Sequence, residues 1–504
     1  MSLPKPNVKG RLCSAATAIL FGVSAARAAV GLAISPATVT NDYAGKITLN
    51  ITGLTTGQAV DVLIYADLNG NGVVDTGEPI VQAFAVTDGQ AQTIGGVRNL
   101  NVPRDEDGLA NGQIRAELFV PGVGAALIAN AHYIIQVVNP SGNVVLASQP
   151  YVIASKVLPQ GATGRITSAT TGLPLTNTII ALQGIGAPSP IFTVTDSHGD
   201  YLCYGLPYTY GIFVYESGFI DPITNLVAVN CGQMASNNVA FTPGPLAISG
   251  KVTDNSTGLG LPGIAIGAKS TNAVQLQVFT FTDINGNYTL WVSGTNEWDV
   301  RPDQGAASAR GYIPVTSRTR VPVSSATVSG IDFSLTNATA LIYGTIVDNH
   351  NNPVTGLQLT ADDSGGLFNA RGESVATNGS YAVAVVAGAS WNVALGQADL
   401  LSRGYGSQSG TNVSVTAGQA TNVNFVITRT NLFRLSSPAR LSASEFQFLL
   451  NGLAGQNYTI QTLTNLDSTN WLGILQTNAP CNSILLVDPQ ATNGSRFYRV
   501  LVTP

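Results

Sequence analysis

The densest set of side chains able to hold a cation is the run Asp67-Leu68-Asn69-Gly70-Asn71-Gly72-Val73-Val74-Asp75-Thr76-Gly77-Glu78. Oxygen-bearing side chains stand at the first, third, fifth, ninth and twelfth places, and Gly72 occupies the sixth, where such a chain must turn sharply. Val73 at the seventh can offer its carbonyl. This donor set suits a hard cation that takes six to eight oxygens, so Asp67, Asn69, Asn71, Val73, Asp75 and Glu78 are expected to hold a structural calcium ion. A second acidic run, Asp105-Glu106-Asp107-Gly108, reads as a solvated turn. Of the histidines, His132, His198 and His350, none lies in a His-Glu-x-x-His or Gly-x-Ser-x-Gly arrangement, and no phosphate loop or dinucleotide fingerprint occurs. The chain is therefore expected not to be an enzyme. Acid pairs distant in sequence leave a hydrolase as the remotest reading.

The segments that must position the oxygen-rich loop are read from its flanks. Val60-Asp61-Val62-Leu63-Ile64-Tyr65 alternates with a period of two and Pro79 follows the loop directly, so the loop should cap a β-hairpin. In this it resembles the isolated calcium loops of exported β proteins and dockerin-type modules.

Only 10% of the 504 residues are charged, against about 25% in ordinary globular chains. Gly, Thr, Asn and Ser are abundant, which favours strands and turns over helices. Residues 1–28 read as a secretory signal: Lys5, Lys9 and Arg11, then an apolar stretch from Leu12 to Ala26, then Ala26-Arg27-Ala28 as the small-x-small cleavage site. The apolar stretch is shorter than the ~20 residues a membrane span needs. Its removal takes the formal charge from -5 to -9, because four basic residues and no acidic ones leave with it. An acidic export with few Lys and Arg argues against nucleic-acid binding, and no later segment is apolar enough to span a membrane. A secreted or cell-surface location follows as the expectation.

A turn signature recurs at Thr195-Asp196-Ser197-His198-Gly199-Asp200-Tyr201, at Thr282-Asp283-Ile284-Asn285-Gly286-Asn287-Tyr288, and in shortened form at Thr377-Asn378-Gly379-Ser380-Tyr381. An opening glycine precedes each turn glycine by 35, 36 and 35 residues, at Gly164, Gly250 and Gly344. Such constancy marks one unit used three times. Aspartate at the start of the turn can accept backbone N–H groups two residues on, glycine takes the positive φ, and tyrosine begins the return strand facing the core. The expected organisation is all-β, a tandem array of Ig-like or prealbumin-like sandwiches: signal peptide 1–28, an N-terminal β-sandwich carrying the calcium loop at 29–155, repeats at 156–243, 244–338 and 339–430, and a small C-terminal β module at 431–504.

The opening Gly250-Lys251-Val252, the Gly260-Leu261-Pro262-Gly263 element and the Thr282–Tyr288 turn resemble the carboxypeptidase regulatory-like family, which has a transthyretin-like seven-strand sandwich. The first repeat follows with Gly172-Leu173-Pro174-Leu175, and the third keeps Asn352-Pro353-Val354-Thr355-Gly356 but loses the turn aspartate. The resemblance covers about half of the chain. It implies a carbohydrate-binding-like fold used as a non-catalytic module, with no active-site residues to carry over.

Within this frame Cys203 and Cys231, both in the first repeat, are expected to form a disulfide in an oxidising compartment, which leaves Cys481 without a partner. Trp291 points away from the predicted core, as does Tyr204 at the aligned position, with Ala384 in the third repeat. Rings so placed either stack on sugar faces or bury against a neighbouring domain. The leading functional expectation is an exported scaffold or adhesion module with a structural calcium site. The second is a carbohydrate-binding accessory of a polysaccharide-degrading system. Its partner would be a glycan or a cell-surface protein.

Overall fold

The computed structural model of the chain describes residues 29–503 other than 44, 92, 120–130, 141–143, 185–189, 216–217, 223–224, 272–275, 295, 314, 317, 375–377, 431–432, 468 and 493–494. The expected leader, 1–28, lies outside the described residues. Among these the chain forms forty-one strands and two short helices, Gln304–Ser308 and Gln397–Ser402. The all-β expectation holds.

The N-terminal block stacks a three-stranded sheet (Gly31–Ser35, Lys46–Thr52, Ile114–Phe119) on a five-stranded one. The latter runs Thr38–Thr40, Val145–Ala154, Ala131–Val138, Ala59–Asp67, Ile80–Thr87. Period-two alternation drives this arrangement: Ile47, Leu49 and Ile51 are buried while their neighbours along the strand are less so. They meet Val60, Val62 and Ile64 from the facing sheet in one apolar cluster.

Each repeat then builds the same pair of sheets. In the second, the opening strand Leu246–Asp254 pairs antiparallel with Asn287–Val292 and parallel with Phe333–Asn337. The facing sheet runs Leu276–Phe281, Ala265–Ser270, Asn296–Pro302, Thr319–Val323. The first repeat matches it with Gly161–Ser168 between Asp200–Tyr204 and Val239–Pro243, and the third with Ala340–Asp348 between Ser380–Val385 and Phe425–Ile427.

The recurring residues have a shared physical cause. Gly164, Gly250 and Gly344 stand directly across the ladder from Tyr201, Tyr288 and Tyr381. A backbone carbonyl crosses so close above each glycine that a Cβ would lie 2.0, 1.9 and 1.9 Å from the oxygens of Asn237, Ile331 and Val423. Those same oxygens accept the tyrosine hydroxyls, at 3.0, 2.6 and 2.6 Å. Glycine makes room for the carbonyl, and tyrosine satisfies it while its ring fills the core.

The turn threonines also repeat a task. Thr195 and Thr282 donate their hydroxyls to Leu175 and Leu261, and accept the N–H of Thr178 and Ile264. Asp196 and Asp283 each cap two backbone N–H groups of their own turns, as hairpin geometry requires. In the third repeat the hydroxyl comes from Ser374, which accepts from Leu357 N at 3.0 Å. Thr377, matched to the turn's first residue by type, lies outside the described residues.

Adjacent units share structure. The first repeat's Ile179, Ala181, Phe192 and Phe213 belong to the apolar cluster of the N-terminal block. Strand Phe219–Pro222 pairs with Val239–Pro243 on one side and Leu276–Phe281 of the second repeat on the other, giving one nine-stranded sheet across both repeats. Tyr215 stacks on Phe279 over the same junction, centroids 4.5 Å apart. On the third repeat, Arg371 meets Gln304 and Ser308 of the second, and Asn101 of the N-terminal block donates to Ala382 O at 2.7 Å.

The C-terminal module pairs two three-stranded sheets around Phe448, Leu450, Tyr458 and Ile460. It is clasped to the first repeat by Cys231–Cys481, 250 residues apart in sequence with Cα atoms 5.8 Å apart, and by Gln160 Nε2 donating to Pro480 O. This overturns the expected Cys203–Cys231 bridge. The alternation that turns Tyr201 into the core turns Cys203 in with it, among Ala162, Tyr210 and Ile212, whereas Cys231 sits on an exposed turn. Burial pushes the Cys203 thiol up to about 12, leaving it a small apolar residue.

Candidate ligand cleft and oxygen-rich loop

The oxygen-rich loop joins strands Ala59–Asp67 and Ile80–Thr87. Gly70, Gly72 and Gly77 all take positive φ, at 70°, 78° and 98°, folding the run back on itself. Buried Asp67 accepts from Asn71 N and Gly72 N at 3.1 and 2.8 Å. Asn69 and Asn71 each donate a side-chain amide to the same Asp75 oxygen, both at 2.7 Å. Glu78 reaches back to Leu68 N and Asp75 N, both at 2.9 Å. Burial raises the Glu78 pKa above its ordinary value, the two N–H groups oppose the shift, and the charges of Asp67 and Asp75 add to it. Of the expected ligands, the side chains of Asp67, Asn69, Asn71, Asp75 and Glu78 are thus linked through one small loop, while Val73 accompanies them through its N–H on Asn71. Among the described residues no three His, Cys, Asp or Glu side chains stand close enough to hold a metal by themselves. Any ion here needs amide and carbonyl oxygens as well, which the donor set contains.

The acidic run beyond it is structural. Asp105 is fully buried and accepts from Gly89 N and Arg115 N, while Glu106 pairs with Arg98 and Arg104.

The second site lies where the first two repeats meet. A cleft of about 270 Å³ is lined by Gly218 and Phe219 from the shared strand region, by Val278–Phe281 and Asp283, and by Asn287–Thr289 and Trp291. Alternation along Asn287–Val292 buries Tyr288, Leu290 and Val292 and leaves Asn287, Thr289 and Trp291 outward. Trp291 keeps 47% of its surface exposed. The chain passes close behind the ring because two glycines permit it: a Cβ on Gly244 would lie 2.7 Å from the Trp291 backbone, and one on Gly218 would sit 3.7 Å from the indole. The strand bearing Trp291 is the edge of its sheet, so the cleft is open along one side.

Tyr204 is not part of this cleft. It sits on Asp200–Tyr204, an outer strand of the nine-stranded sheet, half-buried opposite Gly161. The sequence pointed to Trp291 but missed Phe219, Phe279, Asp283 and Asn287 as its neighbours. Burial along Leu276–Phe281 does not alternate cleanly, so no period-two signal marks Phe279 as a cleft residue, and Phe219 comes from another repeat.

The histidines do not converge. His132 lies beside Gly70, His198 contacts exposed Ser197 and Asp196, and His350 belongs to a turn held by Asp348. Two acids stand out by environment. Burial raises Asp61 to about 6, opposed by Arg310. Burial raises Glu373, 5% exposed in the third repeat, to about 7 against an ordinary 4.5, with Arg403 opposing and Asp399 adding. A carboxyl raised in the folded state contributes stability that is full below 4.5 and lost as pH rises through about 7. Glu373→Gln should therefore stabilise the protein at pH 8 by about 3 kcal/mol and little at pH 4.5. Thermal unfolding of both forms across this range checks it, and parallel pH profiles would sink the assignment.

No protein-family model and no curated protein matches the sequence. Solved structures similar to parts of the chain include the Bacillus anthracis TIE protein, with 10% identity over 80% of this chain and 75% of that one, TM-score 0.17. They also include a streptococcal ancillary pilin, with 10% identity over 54% of this chain and 99% of that one, TM-score 0.20. The major pilin subunit BcpA of Bacillus cereus gives 10% identity over 54% and 100%, TM-score 0.14. Superpositions at this level carry no argument about role.

Proposed function

We propose that this chain is an exported, non-catalytic scaffold or adhesion module of a cell surface or secretome, built from carboxypeptidase regulatory-like sandwiches and held as one body. The observation that supports it is the Cys231–Cys481 bridge. A disulfide of this kind belongs to an oxidising compartment, and its 250-residue span ties the C-terminal module back to the first repeat rather than leaving the domains strung out. No helix among the described residues is long and apolar enough to cross a membrane. The partner of such a scaffold is a cell-surface protein. Antibody labelling of intact cells against culture supernatant tests the location, and hydrolytic turnover by the full chain on polysaccharide or peptide pools would overturn the reading.

Calcium in the oxygen-rich loop gives this body its N-terminal rigidity. A half-turn of the Asn69 and Asn71 amides exchanges N–H for oxygen towards Asp75 and gives up the backbone N–H groups of Asn71 and Val73 that those oxygens now accept, while Val73 adds a carbonyl, so the ion takes the place of the two amide donors on that carboxylate. At calcium a hundredfold above its Kd the gain is about 2.7 kcal/mol. The expected result is a thermal transition that rises with millimolar calcium, falls with chelator, and loses this response in Asp75→Ala. An unchanged transition in saturating calcium would remove calcium from the account.

A further inference from the structure

The Trp291 cleft has the chemistry of a saccharide subsite, and we infer that it binds a neutral pyranose ring at the junction of the first two repeats. This goes beyond the scaffold reading and does not depend on it. A pyranose presents an apolar face of C–H groups and a rim of hydroxyls, so its binding site needs a flat apolar platform beside groups that donate and accept. Trp291 is the platform, half-exposed and backed by the chain at Gly218 and Gly244. Beside it on the same outward face stand Thr289 and Asn287, at two-residue intervals of about 7 Å along a strand. That distance separates a stacked ring from groups that meet its rim or the next ring.

Asp283 completes the polar wall. Its Oδ1 accepts from Asn285 N and Asn287 N, and its Oδ2 accepts from Asn287 Nδ2 at 3.1 Å, so the carboxylate is held in place with accepting capacity left over. Among the described residues no Lys or Arg lines the cleft, so these walls offer no cation to an anionic sugar, sulfate or phosphate. A neutral polyol is the ligand that uses both the ring and the acceptors. The volume of about 270 Å³ sits just below the range of pockets that enclose drug-sized ligands, and the open edge lets a longer chain continue past it.

The geometry also separates this site from the ring at the aligned position of the first repeat. That ring, Tyr204, is half-buried and does not line this cleft, which makes it an internal control.

The test is titration of the full chain with gluco-, xylo-, manno- and galacto-oligosaccharides, followed by calorimetry and tryptophan fluorescence. Saturable binding to at least one series is expected. Trp291→Ala should weaken it about tenfold or more, Thr289→Arg should block it by filling the cleft, and Tyr204→Ala should leave it unchanged. Unfolding temperatures within a few degrees of the parent establish that the variants fold. No binding across all series, or binding retained in both cleft variants, overturns the proposal. Trp291-dependent binding of peptides with none of saccharides overturns it equally, and reassigns the open strand edge to chain pairing.

Discussion

Gly250→Ala should unfold the second repeat, with a loss of about 3–5 kcal/mol, at the upper end of single substitutions. The added methyl would stand 1.9 Å from the Ile331 oxygen and 2.5 Å from its carbon, both backbone atoms that cannot swing aside. Relief requires lifting the crossing chain, and that breaks the Tyr288 hydroxyl's bond to the same oxygen. Tyr288→Phe separates the two contributions: it leaves the space intact and removes only the hydrogen bond, at about 1–2 kcal/mol. Chemical denaturation should rank parent, Tyr288→Phe and Gly250→Ala in that order. Near-parental stability of Gly250→Ala would mean the carbonyl does not cross where described. The same ranking is expected for Gly164 with Tyr201 and for Gly344 with Tyr381.

Cys231→Ser should release the C-terminal module from the first repeat. A crosslink over 250 residues is worth about 5 kcal/mol on loop-entropy scaling. Here most of the enclosed chain is folded sandwich, so the constraint acts first on docking rather than on folding. The expected signs are an early, separate unfolding transition for the module and faster proteolysis near residue 431, while Cys203→Ser changes neither. A single unaltered transition in Cys231→Ser would show that the remaining contacts hold the module unaided.

The sandwich character was legible because its causes are local. Alternation across Asn287–Val292 gave the inward and outward faces correctly, since strand geometry alone assigns them. The Gly–Tyr pairing was visible only as spacing, because the carbonyl between the two comes from residues 73, 81 and 79 positions after the opening glycine. In the third repeat a serine, Ser374, supplies the hydroxyl that threonine supplies in the other two, so residue type did not mark it. Chain proximity misled for the cysteines, since Cys231 is near Cys203 in sequence but Cys203 faces the core. For the cleft, Trp291 was readable from its strand, but its walls come from three segments across two repeats, and no local pattern joins them.

The Cys231–Cys481 bond also sets the route of mechanical load. Tension between the N-terminal block and a pull on the C-terminal end would pass covalently from residue 481 to residue 231 and enter the first repeat directly. The second and third repeats lie inside the bridged interval, out of the line of force. The Trp291 cleft straddles that boundary: Gly218 and Phe219 lie on the loaded side, while its other walls belong to the sheltered second repeat.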